Sequence, residues 1–314
     1  MVDAQTISQY SIKDSNSLIE KLKGLSPSKK RQFPYPISLD VQSLYTNVPS
    51  MEAIELVYRK LSTNWLQYFN LTANDLRELL YVITGNCFFI YEGKCYKQIR
   101  GLPMGNAISG TLSNLFMHEI ENEILSQIQF EYAIYCRYVD DIFILIKDEE
   151  SAERILTRFN SKHNTIQFTL EKPTTHGQQQ RISLLDFTYI IDGTRATHEI
   201  RFYQKACRKN IFLHQKSSVA NTIKMNAIRN EYDRRILRCS EPAAAFRTIH
   251  DLRNRLSSMG YSGHTIAESF MNNPRSRVQE VEEANIFTSR YRMSTRTWTV
   301  KWRNCSETII YHSD

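Results

Sequence analysis

Residues 133–146 read AIYCRYVDDIFILI, two β-prone runs separated only by Asp140 and Asp141. Adjacent carboxylates repel each other, and burial between apolar strands drives both toward the neutral form unless a cation compensates. The chain therefore has to turn at the acids. This predicts an antiparallel hairpin with Asp140 and Asp141 at its tip. Aspartate is also favoured in turns for its own backbone hydrogen bonding, so the pair alone assigns no chemistry.

The elements around this hairpin follow from periodicity. In residues 36–45, Ile37, Leu39 and Val41 alternate with Ser38, Asp40 and Gln42, which predicts a strand with an acid inside it. Helical spacing covers 51–61 and 72–84, the latter opening on Thr72 three residues before Asp75 as a cap. Residues 88–91 and 94–97 read as a hairpin turning at Glu92-Gly93. A Gly-rich loop at 101–105 leads into a long helix from Ala107, with Leu112, Leu115, Phe116, Ile120 and Ile124 on its apolar stripe. After the acid-tipped hairpin come a helix at 149–160 and strands at 165–171 and 182–191. The order is that of an α+β protein, an antiparallel sheet backed by helices. Beyond Arg195 the pattern becomes mainly helical. Residues 221–239 place Met225, Ile228, Tyr232 and Ile236 on one face and Arg229, Arg234, Arg235 and Arg238 outside it. Residues 243–260 set Phe246, Ile249, Leu252 and Leu256 against Arg247, Arg253 and Arg255. A last strand-like alternation falls at Trp298, Val300 and Trp302.

Charge divides along the same line. Residues 1–194 carry 19 Lys/Arg against 22 Asp/Glu, a balance of −3, whereas residues 195–314 carry 21 against 11, a balance of +10. A basic half predicts a polyanionic partner. With 41% hydrophobic residues over 314 positions, the chain has enough apolar content for a core, which excludes disorder. The six cysteines form no C-x-x-C pair, so a structural zinc is not expected. The first ten residues lack the basic and apolar regions of a secretory signal, and no apolar run is long enough to span a bilayer. The expectation is an intracellular protein of nucleus or cytoplasm, neither secreted nor membrane-bound. Its segments are an opening stretch at 1–35, an α+β domain at 36–195, a basic helical domain at 196–272 and an unassigned tail at 273–314.

Asp40, Asp140 and Asp141 thus share a setting of strand and hairpin tip. Hard divalent cations take oxygen ligands, and Mg²⁺ uses only one or two protein carboxylates beside substrate phosphates. Three aspartates on neighbouring strands suit a pair of ions, which is nucleotidyl-transfer chemistry.

Taken together, SLDVQSLYTNVP at 38–49, GLPMGNAIS at 101–109 and YVDD at 138–141 resemble motifs A, B and C of the reverse transcriptase palm, in order and in context. The chain is similar in particular to Penelope-like retroelement reverse transcriptases, through HNTIQFTLE at 163–171, ISLLDF at 182–187, FYQKACRKNIFLHQKSS at 202–218 and MGY at 259–261. The resemblance covers roughly residues 15–270. It implies a palm followed by a mainly helical thumb. The implied catalytic acids are Asp40 and Asp140 as ligands of Mg²⁺, or Mn²⁺ in its place, with Asp141 in a secondary role and the carbonyl of Val41 as a further ligand. Tyr45 matches the residue that floors the incoming sugar, Met104 and Gly105 match the loop against the templating pair, and Lys172 matches the motif D lysine that protonates pyrophosphate. Two of these have a plainer reading: a buried tyrosine after a strand for Tyr45, a surface lysine for Lys172. Residues 185–187 fall near the primer grip. The implied partners are an RNA or DNA template with its primer and deoxynucleoside triphosphates, the duplex being held by Arg229, Arg234, Arg235, Arg238, Arg253 and Arg255 through phosphate contacts.

The sequence also departs from that family. Only 39 residues precede Asp40, and they do not resemble the fingers region that clamps the triphosphate. Asn106-Ala107 and Gly110 replace the usual motif B residues, QKAC replaces RKPT at 204–207, and no GIY-YIG nuclease motif follows Asn272. Two expectations stand side by side: an RNA-directed DNA polymerase domain, and a decayed or repurposed nucleic-acid-binding protein that keeps the fold. An RNA-templated RNA polymerase shares the palm, but Tyr45 and the Penelope-like segments argue against it.

Overall fold

The computed structural model describes residues 9–60, 70–128, 131–193, 197–205 and 212–271, together with the backbone of three strands near the C-terminus. The described chain divides into two compact units, residues 1–209 with 235–248, and residues 210–234 with 249–314.

The first unit opens with α1 (Ser15–Gly24), whose cap Asp14 accepts a hydrogen bond from the Ser17 amide at 2.9 Å, and α2 (Pro27–Gln32). Strand β1 (Tyr35–Val41) follows, then a single turn α3 (Leu44–Asn47) and α4 (Ser50–Lys60). Helix α5 (Ala73–Gly85) begins in the expected capping box, Thr72 and Asp75 bonding each other's amides. The hairpin β2 (Phe88–Tyr91) and β3 (Lys94–Lys97) turns at Glu92-Gly93, both at positive φ as a two-residue turn of this hand requires. Then come α6 (Ser109–Gln127), β4 (Tyr132–Tyr138), β5 (Asp141–Ile146), α7 (Glu149–Lys162) and β6 (Phe168–Glu171).

Four of these strands form one antiparallel sheet in the order β4-β5-β1-β6. Strand β5 explains its unbroken apolar sequence by its central place. Ile142, Ile144 and Ile146 enter a core with Leu112, Phe116 and Ile120 of α6 and Ile155 and Phe159 of α7. Phe143 and Leu145 enter a second core on the opposite face, with Leu18, Ile19 and Leu22 of α1. A strand buried on both faces cannot alternate apolar with polar. The outer edge of β4 is covered by the opening stretch: the Arg137 amide donates to the Tyr10 carbonyl (2.8 Å) and its carbonyl accepts from the Ile12 amide (2.9 Å).

The second core is closed by another antiparallel sheet, β7 (Thr174–His176), β8 (Gln179–Leu184), β9 (Phe187–Asp192) and β10 (Thr197–Phe202), neighbours in that order. Here three sequence expectations are corrected. The single strand at 182–191 is two strands, because Leu185 takes a left-handed backbone (φ 54°) and turns the chain at Leu185-Asp186 without Gly, Pro or Asn to mark it. The strand at 36–45 ends at Val41, where Ser43 (φ 47°) starts α3. A strand, β10, occupies the start of the stretch expected to be helical.

Three helices follow: α8 (Asn221–Leu237), α9 (Pro242–Ser258) and α10 (Gly263–Met271). In the second unit the Tyr232 ring stacks on Phe270 at 4.3 Å, and the buried Lys224 ammonium donates to the carbonyls of Gln215 and Ser217, both at 2.7 Å. Strands β11 (Arg292–Ser294), β12 (Thr297–Val300) and β13 (Ile309–His312) form an antiparallel sheet. No described helix is long and apolar enough to cross a membrane. The rest of the 273–314 tail, with Trp302, lies outside the described residues, as do Ala206 and Cys207 of QKAC.

Candidate active site

Register brings the acids together. Asp40 near the end of β1 stands directly opposite Asp141 at the start of β5, so their side chains share one face of the sheet. Asp140 precedes Asp141 in the two-residue turn, and its carbonyl accepts a hydrogen bond from the Val41 amide at 3.0 Å. Motifs A and C are thus tied by backbone as well as by pairing. Val139, the other turn residue, holds φ at 57°, which is strained for a β-branched side chain.

Electrostatics follow from this crowding. Burial, then the charges of Asp140 and Asp40, push the Asp141 carboxyl up to about 6, with Lys205 opposing and Glu171 adding to the rise. Asp40 is raised by burial first and by Asp140 second, again opposed by Lys205. Such a site gains by taking up positive charge. Among the described residues, no group of three or more His, Cys, Asp or Glu side chains is placed to hold a metal ion by itself.

The loop at 101–105 packs directly on α3. Gly101 (φ 75°) lies so close to Thr46 that a Cβ would meet the Thr46 carbonyl oxygen at 2.5 Å, and the Leu102 amide donates to the Tyr45 carbonyl at 2.6 Å. Tyr45 is half-buried, its hydroxyl 3.8 Å from where a Cβ on Gly110 would sit, at the start of α6. Met104 is 69% exposed, and Gly105 follows at φ 83°. The Ser109 hydroxyl closes the loop on the Pro103 carbonyl at 2.7 Å.

Other predicted residues are placed elsewhere. The Lys172 ammonium lies between Glu149 (3.1 Å) and Glu153 (2.8 Å) of α7, which hold it protonated above the usual lysine range. On α8 the buried stripe runs through Lys224, Ile228, Tyr232 and Arg235 and continues to Arg238 just past its end, rotated from the apolar face read in the sequence. Arg235 (1% exposed) donates to the Thr248 carbonyl at 2.8 Å and stacks on Phe202; Arg238 (7% exposed) donates to Asp186 at 3.0 Å and Asn16 at 2.8 Å. The expected solvent-facing basic surface therefore excludes these two. Arg229, Arg234, Arg253 and Arg255 are partly exposed, Arg234 pairing with Glu231 and Arg255 with Asp251.

The support behind the turn carries no sequence motif. Arg137 and Glu121 are 1% and 0% exposed and paired with each other, joined by Tyr135 and Asn114. An acid on the apolar stripe of a helix and a base in an apolar strand were the available signal. Lys205 likewise has no local pattern to mark it.

A sequence model of the family described as reverse transcriptase (RNA-dependent DNA polymerase) matches residues 3–189. The chain belongs to the reverse transcriptase family. One solved structure agrees at the level of fold, and two others are similar at lower scores. Telomerase from Candida albicans in complex with a fragment of telomeric RNA is similar with a TM-score of 0.56 at 12% identity, over 86% of this chain and 45% of that one. Apo telomerase from Candida tropicalis gives 0.46 at 12% identity, over 85% and 50%, and a Sicinivirus RNA-dependent RNA polymerase gives 0.42 at 11%, over 75% and 50%. This reverse transcriptase chain spans about half the length of those structures. A search of curated proteins finds no sequence match. The fold is the expected one, an antiparallel palm sheet backed by helices with a further helical part.

Proposed function

We propose that this chain carries the palm and thumb of a Penelope-like retroelement reverse transcriptase, which adds deoxynucleotides to a primer 3′-hydroxyl by two-metal transfer. The observation that carries the reading is the pairing of Asp40 with Asp141 across β1 and β5, with Asp140 in the adjoining strained turn. The donor set fits hard divalent cations, being all oxygen and electrostatically short of positive charge. An open arrangement suits Mg²⁺, whose remaining sites go to water and phosphate. Asp40 and Asp140 would hold the ions, with Asp141 and the Val41 carbonyl beside them. When bound, a pair of such ions supplies activation of the attacking oxygen and charge stabilisation at the leaving one.

The protein's own groups account for positioning. Tyr45, braced against α6 beside Gly110, would floor the sugar and exclude a 2′-hydroxyl. Met104 and Gly105 would meet the templating pair. Lys172, kept protonated by Glu149 and Glu153, would be a proton source for pyrophosphate once drawn off those acids. Arg229, Arg234, Arg253 and Arg255 would contact duplex phosphates, whereas Arg235 and Arg238 serve the fold.

Primer extension on RNA and DNA templates with Mg²⁺ or Mn²⁺ tests this. Wild type extends; Asp140→Asn loses at least about a hundredfold in rate while still binding duplex. If neither protein extends while both bind duplex, the polymerase reading fails and the repurposed binding protein takes its place.

A further inference from the structure

The pair of Arg137 and Glu121 lies wholly inside the first unit, directly behind the turn that carries Asp140. Arg137 is the penultimate residue of β4 and Glu121 sits on α6. The guanidinium donates from Nε to Glu121 Oε1 (2.5 Å), from Nη2 to Glu121 Oε2 (3.1 Å) and Asn114 Oδ1 (2.8 Å), and from Nη1 to the carbonyl of Val139 (3.2 Å). Tyr135 adds its hydroxyl to Glu121 Oε1 at 2.9 Å.

Stability does not account for this network. Taking two charges out of water costs more than an apolar pair of equal volume would, and such replacements are often neutral or stabilising. What the ions provide is direction. One arm of the fork reaches past Glu121 to the Val139 carbonyl, where the backbone is held at a φ that valine avoids. The next carbonyl, that of Asp140, is held from the other side by the Val41 amide. Both turn carbonyls are therefore fastened, one through Arg137 to α6 and one to β1.

We infer that Arg137 is a positioning residue: it clamps the Val139-Asp140 turn to α6 and so sets the placement of the Asp140 carboxylate relative to Asp40. Helix α6 also starts at the loop packed on Tyr45. The clamp thus references the cation-binding turn and the nucleotide-binding loop to one rigid element. This rests on the reading of the three aspartates as a divalent-cation site.

The test measures Mn²⁺ binding to the full chain by electron paramagnetic resonance, alongside the thermal midpoint and primer extension. Two variants are used. Arg137→Lys keeps the positive charge beside Glu121 but lacks the fork. The double variant Glu121→Leu with Arg137→Met replaces the buried pair by apolar groups and preserves a folded core if the former fails to fold. Both are expected to bind Mn²⁺ at least tenfold more weakly, with the double variant's thermal midpoint within a few degrees of wild type. In extension, kcat falls at least tenfold with KM for the deoxynucleotide within about threefold, the signature of lost geometry rather than lost substrate binding. If the folded double variant binds Mn²⁺ within twofold of wild type, or if its kcat is unchanged, the positioning role is overturned. Asp140→Asn separates the two readings. If it loses Mn²⁺ while the double variant keeps it, only the role of Arg137 fails; if it binds Mn²⁺ as wild type does, the cation site fails and the role falls with it.

Discussion

Asp141 carries a conflict that can be read out by pH. Its carboxyl has an ordinary value of 3.8 and is pushed up to about 6 by burial and by the neighbouring charges of Asp140 and Asp40. For an acid raised in the folded state, ionisation favours unfolding. The associated loss of stability is absent below about 4, grows between about 4 and 6, and is complete above. Other carboxylates act in the opposite sense, such as Asp14, where burial raises the carboxyl but the hydrogen bonds it accepts from Ser17 lower it by more, and Asp148, lowered by the hydrogen bonds it accepts from Ser151. The informative quantity is therefore a difference. In metal-free denaturant titrations, Asp141→Asn should gain on wild type as pH rises from 4 to 6, by on the order of 1 kcal/mol once solvent screening of a half-buried group is allowed for. A constant difference across that range would show that Asp141 titrates normally.

Loops and helices extend the same reasoning to elements. The loop at 101–105 holds two glycines at positive φ with different surroundings. Gly101→Ala drives a Cβ into the Thr46 backbone and should cost more than about 2 kcal/mol, whereas Gly105→Ala has open space and should cost only about 1 kcal/mol for its backbone conformation. Equal shifts in the denaturation midpoints would mean the loop does not pack on α3 as described. On α8, Arg235→Ala removes a buried, stacked and hydrogen-bonded guanidinium and should lower stability by about 2–4 kcal/mol while leaving duplex affinity unchanged at temperatures where the variant is folded. Periodicity could not foresee this. A helical wheel sorts residues by hydropathy, but a guanidinium whose donors are met by Thr248 and whose plane lies on Phe202 can be buried as readily as isoleucine. The helix was legible and its rotation was not. The hairpin at Leu185-Asp186 was hidden for a related reason, since the left-handed residue there is a leucine and a lone Asp186 is a weak turn signal inside an apolar run.

At the scale of the whole molecule, the change of charge near residue 195 bears on how nucleic acid would be held. Duplex affinity should fall steeply with salt, with log K declining by roughly 0.9 per phosphate neutralised, and Arg253→Ala should reduce that slope by about 1 without changing sequence preference. An affinity indifferent to salt would remove phosphate contact as the function of the basic half. Legible in the sequence were the acid-tipped hairpin, the strand that carries Asp40 and the Gly-rich loop before a long helix, hence an α+β class, because these depend on short-range alternation, turns and spacing; the palm was implied by the resemblance of the three motifs. That Asp40 faces Asp141, that Arg235 and Arg238 turn inward and that Arg137 reaches Val139 from behind became visible in the folded chain alone. Those facts depend on strand register and helix rotation, which are set by contacts between residues far apart in the chain, and a linear pattern does not encode which distant partner satisfies a buried charge.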